Sequence, residues 1–350
     1  MVNTKNIAIL RGDYIGPEIM DAGLAVLAAA AKKSSFSYQT IDYPFGGAAI
    51  DQTGTPLPIA TIEGCQAADA VLLSAIGGPK WDQASKRPEA GLLEIRNKLG
   101  LFANIRPTKI NSILAKRSPI KAEVIAGTDF VIVRELTSGI YFGKPRNQTA
   151  TAAIDASTYT VEEIERIVRV GFKMSQHRKQ HVTIVDKANV LATSKLWRQV
   201  AAKVAQDYPE ITLDYCYVDA AAMKIISQPT FFDVIITANL FGDILSDEAS
   251  VLTGSLGTIP SMSAGSTGPN LYEPIHGSAP DIAGKGIADP ISMIQSIEMM
   301  LRESFQENQL ADQIAQAVQK TIAAGILTPD LGGTATTQTV TTEIIRNLEG

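Results

Sequence analysis

Three short apolar segments in the middle of the chain most constrain its fold. Each is rich in branched residues, ends in polar side chains and precedes a segment with helical spacing. Such a succession is typical of the strands of an open α/β sheet, whose ligands bind at the carboxyl ends of the strands. We therefore expect an open α/β fold with site residues at those ends. The segments are Val182–Lys187, Ile211–Val218 and Phe232–Ala238.

The third segment leads into Asn239–Ser250, where we predict a helix that begins after Gly242. Asp243 and Asp247 are four residues apart on it, so both carboxylates project from one helix face. Two like charges this close repel, and a hard divalent cation between them would remove the repulsion. The alternative is a solvated acidic helix start, because carboxylates favour the first turn of a helix. The spacing alone leaves both interpretations open.

Composition excludes several classes of protein. The chain has 350 residues, of which 45% are hydrophobic and 19% charged, as in a globular protein with two domains or one large one. Its net charge is -5 and it has no basic block, so we expect neither nucleic acid nor an anionic membrane as a partner. No apolar run is long enough for a signal peptide or a membrane span, and Cys65 and Cys216 lack a pairing motif. We expect a soluble, cytoplasmic protein.

The first predicted strand and helix do not carry a dinucleotide-binding fingerprint. The strand Lys5–Leu10 is followed by a turn with Gly12 and Gly16, and this spacing does not make the G-x-G-x-x-G pattern. A phosphate-binding loop is also absent from the sequence, since Gly284-Lys285 is followed by glycine rather than serine or threonine. A nucleotide would have to bind by other means.

The predicted helix Arg87–Arg96 has a mixed face. The residues that share this face at helical spacing are Glu89, Leu92, Leu93 and Arg96. A purely structural helix would bury the two leucines and leave the charges at the edge. Alternatively, the face lines a pocket that offers apolar surface and a guanidinium together.

Two further arginines, Arg106 and Arg134, lie in strand-like segments. A guanidinium that closes an apolar run is costly to bury unless it has a charged partner. Because the planar fork of arginine suits carboxylates, these residues together with Arg96 suggest a ligand of the di- or tricarboxylate kind. Internal ion pairs with Glu135 or Glu89 are the alternative.

Other segments are predicted to be structural. Thr160 and Glu163 form a capping-box pattern that opens a long amphipathic helix. His177 and His181 have the spacing of a zinc pair, but their basic surroundings at a helix C-terminus disfavour a metal. We also predict a short strand over residues 139–143, loops over 261–270 and 273–286, and three C-terminal helices that begin near residues 290, 309 and 334.

Nine segments, in order along the chain, carry a resemblance to a known family. They are Gly12–Glu18, Gly77–Asp82, Arg87–Arg96, Phe102–Pro107, Val133–Gly143, Val185–Val190, Tyr217–Asp219, Asn239–Asp247 and His276–Gly286. In these segments the chain resembles the β-decarboxylating hydroxyacid dehydrogenases, the isocitrate/isopropylmalate dehydrogenase family, nearly end to end. The resemblance implies a two-domain α/β fold with open sheets that lacks the Rossmann G-x-G-x-x-G fingerprint, in agreement with the failed search for one.

The resemblance also implies a metal centre and a catalytic set. Asp243 and Asp247, with Asp219 of the partner subunit, would bind Mg²⁺ or Mn²⁺. Lys187, also from the second subunit, would take the hydroxyl proton of the substrate, with Asp219 as a possible relay. Tyr141 would return a proton to C3 of the substrate, which is a general-acid step.

The implied substrate site explains the arginines and the leucine pair. Arg96, Arg106 and Arg134 would hold the malate carboxylates. Leu92 and Leu93 would contact an isopropyl group, where an isocitrate enzyme needs small polar residues to hold a third carboxylate. Asn189, Val190 and Asp219 complete the implied substrate-binding set.

For the cofactor the resemblance implies NAD⁺. The carboxylate of Asp281 would accept hydrogen bonds from the adenosine ribose and repel a 2′-phosphate. Asp289 stands where the family usually has asparagine, and an ionised aspartate accepts but does not donate, so this residue either contacts adenosine differently or caps the following helix. The implied cofactor-binding residues are Gly78, Glu89, Glu273, His276, Gly277, Ser278, Ala279, Asp281, Ala288 and Asp289.

These implications define the expected organisation and activity. Residues 1–101 with 255–350 would form a discontinuous cofactor-binding domain, and residues 102–254 a domain for dimerisation, metal and substrate. The expected protein is a homodimer that oxidatively decarboxylates 3-isopropylmalate in leucine biosynthesis. The enzymatic alternative is a sister activity on D-malate, tartrate or homoisocitrate. A non-catalytic protein that binds metal and carboxylate is disfavoured, because Tyr141 and Lys187 are both present.

Overall fold

The chain divides into two compact units. A computed structural model describes residues 4–349. The first unit comprises Met1–Leu101 with Ser255–Gly350, and the second comprises Phe102–Gly254. In residues 4–349 no helix is long and apolar enough to cross a membrane.

Strands and helices alternate through most of the described chain. The strands are β1 (Lys5–Leu10), β2 (Tyr38–Asp42), β3 (Ala70–Leu73), β4 (Ala103–Lys109), β5 (Asp129–Glu135), β6 (Arg146–Gln148), β7 (Ala153–Asp155), β8 (His181–Asp186), β9 (Thr212–Tyr217), β10 (Val234–Thr237), β11 (Pro260–Ala264) and β12 (Asn270–Pro274). The α-helices are α1 (Gly16–Ala31), α2 (Gly46–Thr53), α3 (Ile59–Ala67), α4 (Pro88–Lys98), α5 (Ala122–Ile125), α6 (Val161–Gln176), α7 (Ala192–Ala205), α8 (Val218–Ser227), α9 (Asn239–Ser250), α10 (Ile291–Glu303), α11 (Asn308–Ala323) and α12 (Thr337–Glu349).

In the first unit the strand order is β2-β1-β3-β12-β11. Strand β1 pairs in parallel with β2 and β3, and β12 pairs in parallel with β3. All four residues of β3 are buried, as is usual for a central strand of a parallel sheet. The carboxyl ends of β1, β3 and β12 therefore lie side by side, and so do the turns that follow them.

In the second unit the strand order is β4-β5-β10-β8-β9. Strands β5, β10, β8 and β9 are parallel, and β4 is antiparallel to β5. Side chains of β5, β10 and α9 form a common buried core with Phe130, Ile235 and Leu245 among its members. The carboxyl ends of four parallel strands consequently meet at one edge of this sheet, where ligands bind in open α/β folds.

The open α/β class is confirmed, and so are the three apolar segments, which form β8, β9 and β10. The capping box is also confirmed, since the Thr160 hydroxyl accepts from the Glu163 backbone N–H and the Glu163 carboxylate accepts from the Thr160 N–H. Three C-terminal helices are present as predicted, as α10, α11 and α12.

The prediction of a loop over residues 261–270 is wrong at its two ends, because residues 261–264 belong to β11 and Asn270 begins β12, the two strands of an antiparallel pair. Residues 265–269 form the connecting loop. Ser261 and Ser263 are buried in β11, and helix α10 packs against both strands. Small polar residues are weak strand formers in isolation, and here the sheet and the covering helix override that preference.

The prediction of a strand over residues 139–143 is also wrong. Gly139–Tyr141 forms a 3-10 turn, in which Gly139 has a φ of +77° and its carbonyl accepts from the N–H groups of Phe142 and Gly143. A positive φ is incompatible with strand geometry and favours glycine. The turn places the Tyr141 side chain against α9.

Candidate active site

The carboxylates of Asp243 and Asp247 lie on helix α9, which follows β10 directly. The helix begins at Asn239 and not after Gly242 as predicted, so its first turn contains no acidic residue. The acidic-first-turn interpretation therefore does not account for this pair. The two carboxylates are one turn apart on one face of the helix, with side-chain exposures of 33% and 67%.

Arg134 lies at the end of β5 and is bound to α9 through several hydrogen bonds. Its Nη1 donates to Asp243 Oδ1, and its Nε and Nη2 donate to Asn239 Oδ1 over 3.1 and 2.9 Å. The guanidinium is almost fully buried, so these acceptors replace the water that it gives up. A Cβ at Gly242 would lie 2.6 Å from Arg134 Cγ, and only glycine leaves room for this side chain to cross the helix.

Arg106 on β4 forms a matching pair with the second carboxylate. Its Nη1 donates to Asp247 Oδ1 over 2.9 Å and to Ser246 Oγ over 2.7 Å, while its Nε donates to Asn104 Oδ1 over 2.9 Å. Asn104 is the register partner of Arg134, and Arg106 lies two residues further along β4, so both arginines lie on one face of the sheet. Ion pairs with Glu135 or Glu89 are the alternative that the sequence suggests, and the ion pairs observed for these two arginines are with Asp243 and Asp247.

Tyr141 donates its hydroxyl proton to Asp243 Oδ2 over 2.7 Å. Partial burial and this hydrogen bond raise the pKa of Tyr141 above its ordinary value. The phenol is therefore protonated at neutral pH, and it has a proton to give, as a general acid requires.

Lys187 and Asp219 form a second group at the same carboxyl edge of the sheet. Lys187 follows β8, and its Nζ lies 2.5 Å from Oδ1 of Asp219, which is in the first turn of α8 rather than at the end of a strand. The hydrogen bond from Lys187 lowers the pKa of the Asp219 carboxyl below its ordinary value. Asn189 and Val190 lie in the exposed turn that follows Lys187.

The oxygen donors of Asp243 and Asp247 suit a hard divalent cation, and their partial exposure leaves them accessible to one. Within residues 4–349 of a single chain, no group of three or more acidic, histidine or cysteine side chains is arranged to hold a metal ion. Asp219 therefore does not join the α9 carboxylates within one chain. His177 and His181 form no such group either, and His181 Nε2 instead lies 2.8 Å from Asp214 Oδ2.

In the first unit, the mixed face of α4 is as predicted from its spacing. Leu93 is 43% exposed and Leu92 is partly buried, whereas Ile95 supplies the fully buried contact. The structural interpretation, in which both leucines are buried, does not hold for Leu93. Arg96 Nη2 donates to Glu273 Oε1 over 2.7 Å, and its buried Nε has no hydrogen-bond partner in the described chain.

The predicted cofactor residues of the first unit follow the carboxyl ends of its parallel strands. Gly78 follows β3, and a Cβ there would lie 2.3 Å from Cε2 of Tyr14, so only glycine fits beneath that ring. Ser278 Oγ donates to the Gly77 carbonyl over 2.7 Å, and Ala279 has a φ of +41°. Glu89 approaches the same turn, with Oε1 2.6 Å from the position of a Cβ on Gly77.

His276, Gly277 and Asp281 lie in the segment after β12. His276 Nδ1 is 2.9 Å from the Gly277 carbonyl, and burial lowers the pKa of the imidazole below its ordinary value. Asp281 is exposed, as a carboxylate that meets a ligand from solvent needs to be.

Asp289 lies one residue before the N-cap of α10, Pro290, and its side chain binds the first turn of this helix. Its Oδ1 accepts from the N–H of Ile291, the first residue of α10, over 2.9 Å. Its Oδ2 is buried, and burial raises the pKa of this carboxyl well above its ordinary value. Burial of this carboxyl therefore disfavours its ionised form. Ala288, beside it, is also buried, and its carbonyl accepts from the Thr337 hydroxyl.

Sequence reasoning missed several side chains that hold these groups in place. Asn104 and Ser246 each accept from Arg106, and Asp13 accepts from three backbone N–H groups. The sequence identifies Asn239 only as the residue after a strand, although it accepts twice from Arg134. The sequence offers one indication of such a positioning role, a polar residue close after the carboxyl end of a buried strand. It applies to Asp13, after β1, and to Asn239, after β10.

Comparison with known proteins places the chain in a family. The family model for isocitrate/isopropylmalate dehydrogenase matches residues 6–348. The 3-isopropylmalate dehydrogenase of Listeria monocytogenes serovar 1/2a is 57% identical over 99% of both chains, and that of Streptococcus thermophilus is 58% identical over 99% of this chain and all of the relative. The crystal structure of isocitrate dehydrogenase from Methylococcus capsulatus has a TM-score of 0.87 and 34% identity, and covers 99% of this chain and 100% of its own. The chain belongs to the isocitrate/isopropylmalate dehydrogenase family.

Proposed function

We propose that the protein catalyses the NAD⁺-dependent oxidative decarboxylation of (2R,3S)-3-isopropylmalate to 4-methyl-2-oxopentanoate and CO₂, a step of leucine biosynthesis. The observation that carries this proposal is the full-length similarity to relatives that bear the name 3-isopropylmalate dehydrogenase. The exposed apolar side chain of Leu93 supports it, since a branched alkyl group needs such a contact. We expect the reaction to take place in the cytoplasm, where the two free cysteines stay reduced.

The arginines bind and orient the substrate. Arg106 and Arg134 present guanidinium groups at the carboxyl edge of the second unit, where they can hold carboxylates in a fixed orientation. Arg96 is the third carboxylate ligand, and its buried unpartnered Nε has an unused donor for that purpose. Leu92 and Leu93 contact the isopropyl group, with Asn189 and Val190 as further substrate contacts.

Proton transfer is assigned to three side chains. Lys187 takes the proton from the C2 hydroxyl of the substrate, and Asp219, which lies 2.5 Å from Lys187 Nζ, relays it onward. Tyr141 donates a proton to C3 after CO₂ has left. Its hydrogen bond to Asp243 keeps the phenol oriented beside the carboxylates of α9.

Two bound groups supply the remaining chemistry. When bound, NAD⁺ accepts a hydride and Mg²⁺ or Mn²⁺ stabilises negative charge on substrate oxygens. Asp243, Asp247 and the partner subunit's Asp219 are the proposed metal ligands. Gly78, Glu89, Glu273, Ala288, Asp289 and the segment His276–Ala279 are the proposed cofactor contacts, and Asp281 selects NAD⁺ over NADP⁺.

The active form is proposed to be a homodimer with shared sites. Large apolar side chains are exposed on α8 and α9, among them Met223 at 67%, Ile244 at 58% and Val251 just beyond α9 at 45%. Helices α8 and α9 pack against each other, so these side chains belong to adjoining helices. Exposed apolar surface of this kind is typical of an interface between subunits.

An assay of NADH and CO₂ formation with 3-isopropylmalate, with Mg²⁺ and after EDTA treatment, tests the proposal. We expect both products in equal amounts with the metal and no turnover without it. Initial rates with D-malate, tartrate, homoisocitrate and isocitrate provide the comparison. A kcat/KM for D-malate well above that for isopropylmalate would overturn the assigned substrate.

A further inference from the structure

The turn between β1 and α1 contains a buried carboxylate that the catalytic roles do not use. Asp13 is 3% exposed and accepts three hydrogen bonds from backbone N–H groups. Its Oδ2 accepts from Gly47 N over 2.9 Å and from Gly77 N over 2.8 Å, and its Oδ1 accepts from Ala48 N over 2.8 Å. One side chain thereby joins the turn after β1, the start of α2 and the turn after β3.

The three donors explain how a carboxylate persists at this buried position. Burial of a charge without partners is unfavourable, and hydrogen bonds from N–H groups to an ionised acceptor are among the stronger ones in proteins. For Asp13 burial raises the pKa, and the bonds from Gly47, Gly77 and Ala48 oppose that rise. The buried carboxylate therefore depends on these three N–H groups as donors, and the three N–H groups depend on the carboxylate as their acceptor.

The turn after β3 is held from two sides. The N–H of Gly77 donates to Asp13, and the Gly77 carbonyl accepts from Ser278 Oγ over 2.7 Å. The Ser278 carbonyl in turn accepts from Ile15 N over 3.2 Å, which returns to the turn that carries Asp13. These hydrogen bonds link Asp13, Gly77, Ser278 and Ile15 in a closed loop. They fix Gly77 relative to the turns after β1 and β12.

We propose that Asp13 is a positioning residue for cofactor binding, which sets the backbone of Gly77 and Gly78 and, through Gly77, the turn at Ser278. The inference rests on the proposed function, because Gly78 and Ser278 are cofactor contacts there. Asp13 itself is buried beneath these turns and contacts backbone, so its effect on the cofactor is indirect.

The test compares Asp13→Asn with Asp233→Asn. Asparagine keeps the shape of aspartate but offers one acceptor oxygen and directs an NH₂ group at a backbone donor, so at least one of the three bonds is lost. Asp233 is a matched control, since it is also buried and accepts from the backbone N–H groups of Lys179 and His181, but it lies at the amino end of β10 in the second unit.

We expect Asp13→Asn to raise the KM for NAD⁺ by about 10-fold, which corresponds to about 1.4 kcal/mol, and to change kcat and the KM for isopropylmalate less than about 2-fold. Asp233→Asn should lower the melting temperature without raising the KM for NAD⁺. Hydrogen exchange of the Gly47, Ala48 and Gly77 amides should accelerate in Asp13→Asn, and this readout does not depend on turnover.

Each outcome separates the inference from the proposed function. An unchanged KM for NAD⁺ in a folded, active Asp13→Asn protein overturns the inference alone, as does an equal rise in Asp233→Asn. Failure of the wild type to oxidise isopropylmalate, combined with weaker NAD⁺ binding by Asp13→Asn in a calorimetric titration, overturns the proposed function alone. If Asp13→Asn does not fold, Ser278→Ala acts on the same Gly77 peptide from the other side, and unaltered Gly77 amide exchange in that variant overturns the inference.

Discussion

The hydroxyl of Tyr141 lies 2.7 Å from Oδ2 of Asp243, so the proposed general acid is hydrogen-bonded to a proposed metal ligand. Tyr141→Phe removes this proton donor and leaves the ring in place. We expect kcat to fall by about 10²-fold or more, as is usual on loss of a general acid, with little change in the KM for isopropylmalate. Steady-state kinetics measure the effect, and Tyr215→Phe is the control because its hydroxyl lies on an exposed side chain. A kcat within a factor of about two of the wild type would contradict the role.

Leu93 is expected to determine substrate preference. Leu93→Ala removes an apolar contact worth about 1–3 kcal/mol, so the kcat/KM ratio of isopropylmalate to D-malate should fall by about 10- to 200-fold. Because Leu93 is 43% exposed, the melting temperature should change little. Leu92→Ala, at a partly buried position packed on the core, should lower both the ratio and the melting temperature. An unchanged ratio in Leu93→Ala would remove this residue from the substrate site.

Asp289 is expected to make stability depend on pH. Burial raises the pKa of this carboxyl well above its ordinary value of 3.8, and Asp330 is the other acid that acts on it. The folded chain then holds a proton that the unfolded chain releases, so the stabilisation is complete below the ordinary value and is lost as pH rises through the raised one.

The Asp289→Asn variant removes this titration. An amide is neutral at every pH and still offers an oxygen to Ile291 N, so the variant should melt above the wild type at pH 8 by a few degrees, since about 1 kcal/mol moves the melting temperature by roughly 2–4 °C in a chain of this kind. The difference should shrink as the pH approaches 4. Thermal denaturation across this range measures it, with Asp281→Asn as an exposed control. Equal differences at both ends of the range would show that Asp289 does not titrate between them.

Subunit complementation tests the shared site. Asp247→Asn and Lys187→Met should each abolish activity as homodimers, since each variant damages both sites. A purified heterodimer of the two variants has one intact site if Lys187 comes from the partner, and should regain about half of the wild-type kcat. A heterodimer of Asp247→Asn and Asp243→Asn is the control, because its lesions lie in the same half of the site and it should remain inactive. If the heterodimer of Asp247→Asn and Lys187→Met is inactive, Lys187 and Asp247 of the same chain belong to one site, and the shared site is contradicted.

Cofactor preference is expected to depend on Asp281. Replacement of Asp281 by lysine together with Ile282→Tyr removes the carboxylate and adds a cation that can bind a 2′-phosphate. The ratio of kcat/KM for NADP⁺ to that for NAD⁺ should rise, and Asp281→Asn should have a smaller effect because it adds no cation. Retention of the wild-type NAD⁺ preference in the double variant would argue against the ribose contact.

Local sequence patterns predicted those parts of the molecule that local physics determines. The branched runs that form β8 and β10 exclude water from both faces, and the Thr160–Glu163 capping box is completed within one turn, so both can be recognised from a few residues. The spacing of Asp243 and Asp247 likewise fixes their common helix face. These features depend little on distant parts of the chain.

Features that depend on distant contacts could not be predicted in this way. Ser261 and Ser263 form a strand because β12 pairs with their segment and α10 packs against it, and nothing in their own segment indicates it. The pKa of Asp289 is raised because the carboxyl is buried, which the sequence does not reveal. The hydrogen bonds that Asp13 accepts from the N–H groups of Gly47 and Gly77 join residues 34 and 64 positions apart, and only the folded topology brings them together.

The pairing of Arg134 with Asp243 and of Arg106 with Asp247 implies an exchange of partners. Each cation neutralises a carboxylate, so a metal ion and a substrate carboxylate would each compete with an internal partner. A metal ion alone would free two buried guanidinium groups, and a dicarboxylate alone would free two aspartates. When the metal ion and the dicarboxylate bind together, the aspartates pair with the metal and the arginines pair with the substrate carboxylates. Metal and substrate should therefore each tighten the binding of the other.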